Sequence, residues 1–218
     1  MLLDHLQNKL NAIAAQDQTR VLRVAETPTS PCQTVRGPNG VGLQRRMFCS
    51  NDYLGLAAHP RIAHALAEGA QIWAGGSGAS HLISGHTLAH EHLDARLADW
   101  FAPHIPQARV LGFSTGYMAN LAVTTTLGDA QAEFFSDELN HASLIDGMRM
   151  AKAPVQRFAH ADMAALRALL VASTAKIKFI VSDTVFSMDG DLGPISELLR
   201  LAEEHDAWLI LDDAHGFG

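Results

Sequence analysis

The chain has 218 residues, a length that allows one large domain or one and a half domains. Hydrophobic residues make up 48% and charged residues 18%, a composition that excludes a disordered protein. Its 16 Lys and Arg residues are outnumbered by 23 Asp and Glu residues and form no basic patch, so neither a nucleic acid nor a membrane is expected as a partner. The absence of a signal peptide or spanning segment, together with two cysteines that lack metal-ligand or disulfide spacing, predicts a cytoplasmic protein.

Residues 1–50 are predicted to form an N-terminal helical arm and a small hairpin. Apolar residues recur at near-helical intervals from residue 2 to about residue 24, and the prolines at 28 and 31 end this helix. The Gly-Pro-Asn-Gly sequence at 37–40 is typical of a turn between two extended segments. A larger domain, 51–218, is expected to follow.

Beyond residue 51, helices alternate with short apolar runs. Strands are predicted near 109–113, 132–135, 155–158, 177–182 and 207–211, and helices near 116–127, 142–152, 162–172 and 194–205. This alternation is typical of an α/β domain in which a mostly parallel sheet has helices on both faces. Open sheets of this kind bind ligands just beyond the carboxyl ends of their strands, so site residues are expected there.

Several strand ends carry groups that suit one ligand. The candidate residues at these positions are Gly116, Tyr117, His141, Ser187, Asp212 and His215. Each has an ordinary alternative, such as a plain turn, a packing histidine or a helix-capping aspartate. A helix start suits a phosphate, an imidazole can stack on a planar ring, and a carboxylate suits a cationic ring nitrogen. Together these demands indicate pyridoxal phosphate.

Two other motifs give weaker indications of a binding site. The Gly-Gly-Ser-Gly run at 75–78 is not closed by the Lys of a Walker loop, which favours a flexible connection over a ligand-binding loop. His86 and His90 have metal-compatible spacing on a predicted helix. However, Glu91 is misplaced for a His-Glu-x-x-His site and no third ligand is evident, so no metal is expected.

The chain resembles the α-oxoamine synthases, a family of fold-type I enzymes that use pyridoxal 5'-phosphate, over nearly all its length. The motifs that carry the resemblance are Asn-Asp-Tyr-Leu-Gly-Leu at 51–56, Gly-Ser-Gly at 76–78, Ile-Ser-Gly at 83–85, His-Ala-Ser at 141–143 and Phe-Ser-Met-Asp-Gly-Asp at 186–191. The resemblance implies the large, cofactor-binding domain of that fold over 51–218, incomplete at its C-terminal end.

The resemblance also implies how the cofactor is held. Gly116 and Tyr117 would contact its phosphate region, and His141 would stack on its pyridine ring. Asp212 would pair with the protonated ring nitrogen, which keeps the ring cationic and able to accept electrons.

Further roles follow from the same resemblance. Ser187 and His215 would form hydrogen bonds near the 3-oxygen of the cofactor. Arg23 and Asn51 are candidate substrate contacts, and His141 is both a substrate contact and an acid or base. The implied catalytic residues are His141, Asp212 and His215.

Within the family, segments 157–160 and 212–216 are most similar to the member that condenses L-alanine with a pimeloyl thioester of CoA or acyl-carrier protein and releases carbon dioxide. Family members of this type are homodimers. Two alternatives stay open at this point. One is a sister synthase that uses glycine or serine with another acyl thioester, and the other is a non-catalytic partner subunit that lacks the lysine.

The lysine that the family joins to its cofactor follows the Asp-x-x-His motif. The lysines of this sequence, all in other contexts, are Lys9, Lys152, Lys176 and Lys178. Since that lysine supplies the covalent link and the usual base for α-proton removal, we expect the sequence to be the amino-terminal part of a longer enzyme and to be inactive alone.

Overall fold

A computed structural model describes residues 1–217. The chain separates into two compact units, Met1–Gly85 and His86–Gly218. The predicted division at residue 50 is not tested by these units and stays a prediction. Among the described residues, no helix is long and apolar enough to cross a membrane.

The first unit contains a helix, a small antiparallel sheet and a second helix. Its elements are α1 (Leu2–Ala15), β1 (Val24–Ala25), β2 (Cys32–Arg36), β3 (Gly42–Arg46), α2 (Pro60–Trp73) and a short π-helix (His81–Gly85). Strands β2 and β3 form the predicted hairpin, and β1 adds a third strand beside β2. Helix α1 ends well before the predicted residue 24, because Asp17 has a φ of 54°, which departs from the helical path.

The second unit is an α/β domain. Its elements are α3 (Leu88–Phe101), α4 (Gly116–Leu127), β4 (Ala132–Asp137), α5 (Ala142–Met150), β5 (Val155–Phe158), α6 (Met163–Ala172), β6 (Ile177–Asp183), α7 (Ile195–Glu204) and β7 (Trp208–Asp212). Strands β4 to β7 form a parallel sheet in the order β5-β4-β6-β7. A helix connects each strand to the next, as parallel pairing requires. The predicted parallel sheet is confirmed for these four strands.

The predicted strand near 109–113 is wrong. A strand needs a neighbour to accept and donate its backbone hydrogen bonds. None of the described strands pairs with this segment, and Leu111 is 75% exposed. Its apolar residues therefore do not contribute a fifth strand to the sheet that is described.

Alternate residues of the strands bury two separate apolar clusters. Phe135 and Ile180 point to the face covered by α6 and α7, which we call the α6/α7 face. Phe134 and Phe179 point to the other face, where Leu144 of α5 packs, and we call it the α5 face. Because side chains alternate along a strand, the residues at the strand ends follow the same division.

Helices α4 and α5 pack closely at one glycine. A Cβ added at Gly147 of α5 would clash with Oγ1 of Thr124, and it would lie 3.1 Å from the carbonyl oxygen of Asn120 and 3.2 Å from the Cα of Leu121. Glycine is required at this position because any side chain would push the two helices apart. The close approach brings Asn120, one turn into α4, next to the start of α5.

Candidate active site

A cavity of about 290 Å³ lies at the carboxyl edge of the parallel sheet. It is formed by the start of α4, the start of α5 and the ends of β6 and β7. The predicted site residues that line it are Gly116, Tyr117, His141, Asp212 and His215. Its volume is close to the lower end of the range for small-molecule pockets, so it suits a compact ligand.

The start of α4 can bind an anion. Thr115 caps the helix, and its Oγ1 accepts a hydrogen bond of 3.1 Å from the amide of Met118. The amides of Gly116 and Tyr117 precede this capped amide and belong to the first turn, where N–H groups have no acceptor within the helix. A Cβ added at Gly116 would meet no atom within 4 Å, so the space beside this residue is open. Open space and the positive helix end together favour a phosphate.

Asp212 is half-buried and its carboxylate is oriented by two donors. One oxygen accepts a hydrogen bond of 2.7 Å from Nδ2 of Asn120, and the other accepts one of 3.0 Å from the amide of Ala214. A carboxylate has about four acceptor sites, so capacity remains for a further donor. A cationic ring N–H is a donor of the required kind.

A chain of hydrogen bonds joins Asp212 to His141. The Nδ2 group of Asn120 also donates to Oγ of Ser143 at 2.9 Å. This hydroxyl lies 2.6 Å from Nδ1 of His141, which also accepts from the amide of Ser143 at 3.2 Å. Since Nδ1 is the acceptor, the proton of the neutral ring lies on Nε2. Two of the predicted residues are thus held by a shared set of polar contacts.

Asp183 is a second carboxylate at this site. It is buried and pairs in register with Asp212 on the neighbouring strand. Burial raises the pKa of Asp183 to about 6, and the adjacent charge of Asp212 adds to this rise. The backbone amide of His141, 3.5 Å away, acts in the opposite direction. Asp183 therefore takes up a proton near pH 6 beside a carboxylate that faces the cavity.

Tyr117 and Asp213 are held by contacts of their own. The hydroxyl of Tyr117 donates to Asp146 on α5 at 2.7 Å, and this contact raises the pKa of Tyr117. Asp213 accepts from the hydroxyl of Thr184. Asp212 and Asp213 both line the cavity, but the carboxylate of Asp213 is tied to the neighbouring loop through Thr184.

Three predicted residues do not line this cavity. Ser187 is exposed in a turn after β6. Arg23 and Asn51 belong to the first unit and are exposed there. Their proposed contacts with cofactor or substrate stay predictions.

Asn120, Ser143 and Asp183 also line the cavity, and none of them is a predicted site residue. A local spacing could have indicated each of them. Asn120 lies four residues after Gly116, on the same side of α4. Ser143 lies two residues into the helix that His141 caps. Asp183 lies two residues after a buried strand residue, Val181, and so shares its face.

The family of aminotransferases class I and II matches residues 47–218, and the chain belongs to this family. Among curated relatives, the 8-amino-7-oxononanoate synthase of Cupriavidus metallidurans is 59% identical over 218 residues, which are 100% of this chain and 54% of that protein. The enzyme of the same name from Leptothrix cholodnii is 56% identical over 221 residues, with the same coverage. The chain therefore spans about half the length of the curated relatives it matches.

Solved structures give the same fold. A serine palmitoyltransferase from Sphingomonas wittichii has a TM-score of 0.83 and 25% identity, covering 96% of this chain and 51% of that chain. A structure described as SPT with PLP has a TM-score of 0.83 and 26% identity, covering 98% and 53%. An 8-amino-7-oxononanoate synthase from Francisella tularensis has a TM-score of 0.57 and 28% identity, covering 76% and 44%. The predicted fold class is confirmed, and the family and the PLP of the second structure support the predicted cofactor.

Proposed function

We propose that this chain forms the cofactor-binding part of an 8-amino-7-oxononanoate synthase, a cytoplasmic homodimer that condenses L-alanine with a pimeloyl thioester in biotin biosynthesis. One observation carries the proposal. This chain is 59% identical, over all of its own length, to an enzyme of that name. It also brings five residues predicted for a pyridoxal phosphate site together around one cavity.

The donors and acceptors of the cavity fit pyridoxal phosphate. The amides of Gly116 and Tyr117 would bind the phosphate, and Asp212 would accept the proton of the ring nitrogen. When bound, the cofactor supplies a cationic ring that withdraws electrons from the α-carbon of the amino acid. Asp212 keeps that ring nitrogen protonated, and Asn120 holds the carboxylate of Asp212 in the orientation this requires.

His141 would stack on the ring and hold a proton near the substrate. Its Nδ1 is occupied by Ser143, so its protonated Nε2 is the ring nitrogen that is left to contact a ligand. An imidazole can both donate and accept a proton, which suits an acid or base that acts at the α-carbon. His215, which lines the same cavity, would contact the 3-oxygen.

The amino-acid substrate of the proposed reaction could be alanine or serine, judged from the names of the similar proteins. The serine palmitoyltransferases align with high TM-scores but at only 25–26% identity. The relatives at 56–59% identity all have the name of the alanine-dependent enzyme. This difference in identity favours alanine.

A chimera tests the proposal. Residues 1–218 replace the matching segment of the Cupriavidus metallidurans relative, and the purified protein is given pimeloyl-CoA with L-alanine, glycine or L-serine. Mass spectrometry is expected to detect 8-amino-7-oxononanoate with L-alanine as the preferred substrate. A preference for glycine or serine would refute the assignment. Acyl-carrier protein replaces CoA in a parallel assay, and light scattering of the chimera tests the homodimer.

A further inference from the structure

A second cluster of charged side chains lies on the α6/α7 face of the sheet edge. His160, which follows β5, lies between two carboxylates. Its Nδ1 is 3.1 Å from Oδ1 of Asp137 at the end of β4, and its Nε2 is 2.8 Å from Oδ2 of Asp191. The histidine side chain is 24% exposed and that of Asp137 is 1% exposed. We call this arrangement the Asp137–His160–Asp191 bridge.

The bridge requires a charged imidazole. Asp137 also accepts hydrogen bonds of 2.9 Å from the amides of Leu139 and Ala161, one on each oxygen, so both of its oxygens act as acceptors. An ionised carboxylate only accepts hydrogen bonds, so each nitrogen of His160 must supply a proton. A neutral imidazole has one N–H and the imidazolium has two. His160 therefore makes both contacts only as a cation.

The bridge holds the loop that contains Ser187. This segment, residues 184–193, is called the Ser187 loop. The base of this loop is closed by backbone contacts. Val185 and Leu192 form an isolated antiparallel β-pair, and the amide of Gly193 donates a hydrogen bond of 2.8 Å to the carbonyl of Thr184. Beyond the base, Phe186 is buried, and its ring packs against that of His160 in a T-shaped arrangement with a centroid distance of 4.4 Å.

We propose that His160 is a positioning residue for the active site. As a cation shared by Asp137 and Asp191, it fixes the Ser187 loop to the carboxyl edge of the sheet and so sets the position of Ser187. The role of Ser187 toward the 3-oxygen rests on the proposed function, whereas the attachment of the loop does not.

The titration of His160 follows from its surroundings. Burial lowers the pKa of His160, but the hydrogen bonds and charges of Asp137 and Asp191 outweigh burial, so the pKa is raised overall. The other charged groups nearby are Glu138, which accepts from the backbone amide of His160 at 3.1 Å, and Arg157, which lies 3.7 Å from Glu138. A histidine with a raised pKa stabilises the fold fully at low pH, and this contribution is lost as the pH rises through the raised value.

Hydrogen exchange tests the bridge in the chimera described above, without added cofactor. His160→Gln is expected to accelerate amide exchange in residues 184–193 roughly tenfold, because it removes both the ion pair with Asp191 and the ring contact with Phe186 that hold this segment. The matched control His104→Gln changes an exposed histidine of the same unit and is expected to leave this exchange unchanged. Equal protection in His160→Gln and the control would overturn the proposal.

Two further measurements separate the bridge from ordinary packing. The NMR titration of His160 should give a pKa above the ordinary histidine value of about 6.5, and exchange in the loop, corrected for intrinsic rates, should accelerate through the same pH range. Asp191→Asn lets a neutral imidazole donate to Asp137 and accept from the new amide, so exchange should lose this pH dependence, whereas the control Asp189→Asn should keep it. A His160 pKa at or below the ordinary value would overturn the proposal.

Cofactor binding distinguishes this proposal from the proposed function. Both His160→Gln and Ser187→Ala should weaken pyridoxal phosphate binding several-fold, measured by fluorescence, and the double variant should be no weaker than Ser187→Ala. If His160→Gln accelerates exchange while Ser187→Ala binds the cofactor normally, the attachment of the loop is supported and the cofactor role of Ser187 is refuted.

Discussion

The two faces of one sheet edge present carboxylates in opposite ways. On the α5 face, Asp212 is bound by the neutral donors Asn120 and Ala214 and lines an open cavity. On the α6/α7 face, Asp137 is bound by two backbone amides and by His160, and its side chain is 1% exposed. Both are the last residues of parallel strands.

The comparison shows that a strand-end aspartate is assigned its role by its neighbours. Where neutral groups orient the carboxylate and leave acceptor sites free, it can bind a cationic ligand. Where protein donors and a cation use those sites, it holds loops together. The same sheet edge therefore presents an accessible carboxylate on one face and a buried carboxylate that is paired within the protein on the other.

The largest effect is expected for Asp212, the carboxylate that we propose binds the ring nitrogen of the cofactor. Asp212→Asn in the chimera should lower kcat/KM about a thousandfold, since an amide cannot stabilise the protonated ring nitrogen as an anion does. Cofactor affinity and product formation measure this loss. The matched control is Asp99→Asn on the exposed surface of α3, and an equal loss in both variants would contradict the role of Asp212.

The next effect concerns stability on the other face. Asp137→Asn should lower the free energy of unfolding by about 3 kcal/mol, because it leaves His160 without its buried anionic partner. Urea denaturation at pH 6, where the bridge is formed, measures the change. A loss no greater than that of Asp99→Asn would show that Asp137 is not the centre of this cluster.

Replacing Asp183 should stabilise the fold, whereas replacing Asp137 should destabilise it. The pKa of Asp183 is raised from 3.8 to about 6, so its neutral form stabilises the fold at low pH and this contribution is lost as the pH rises through 6. Asp183→Asn cannot ionise and should raise the free energy of unfolding by about 2 kcal/mol at pH 8 and by little at pH 4. Urea midpoints at both pH values test this, with Asp189→Asn as the control. A stability gain that does not depend on pH would refute the assigned titration.

The smallest effect is expected for Asn120, whose side-chain amide joins Asp212 to Ser143. Asn120→Ala removes the hydrogen bonds to Asp212 and Ser143 and should cost about 1.5 kcal/mol of stability. Cofactor affinity should fall by a comparable factor, about tenfold, because the carboxylate of Asp212 loses its orientation. Calorimetric binding of pyridoxal phosphate measures this, and an unchanged affinity would show that Ala214 alone is sufficient.

Much of the site could be predicted because parallel strands all end at the same edge. Apolar runs located β4 to β7, and the residues after them had to meet wherever the sheet formed, which is why His141 and Asp212 share a cavity. The strand predicted near 109–113 was wrong for a related reason. An apolar run forms a strand only if another strand pairs with it, and the residues of the run do not indicate whether such a partner is present.

The sequence by itself determined the α/β class, the four paired strands, the hairpin and five of the residues that line the cavity. These follow from hydrophobic periodicity and turn residues, which are local properties. Only the tertiary structure decided which carboxylate binds which donor. Asn120 and Asp212 are 92 positions apart, and His160 and Asp191 are 31 apart, so their contacts depend on helix packing and loop closure. Strand-end aspartates that look equivalent in the chain therefore acquire different partners and different degrees of burial.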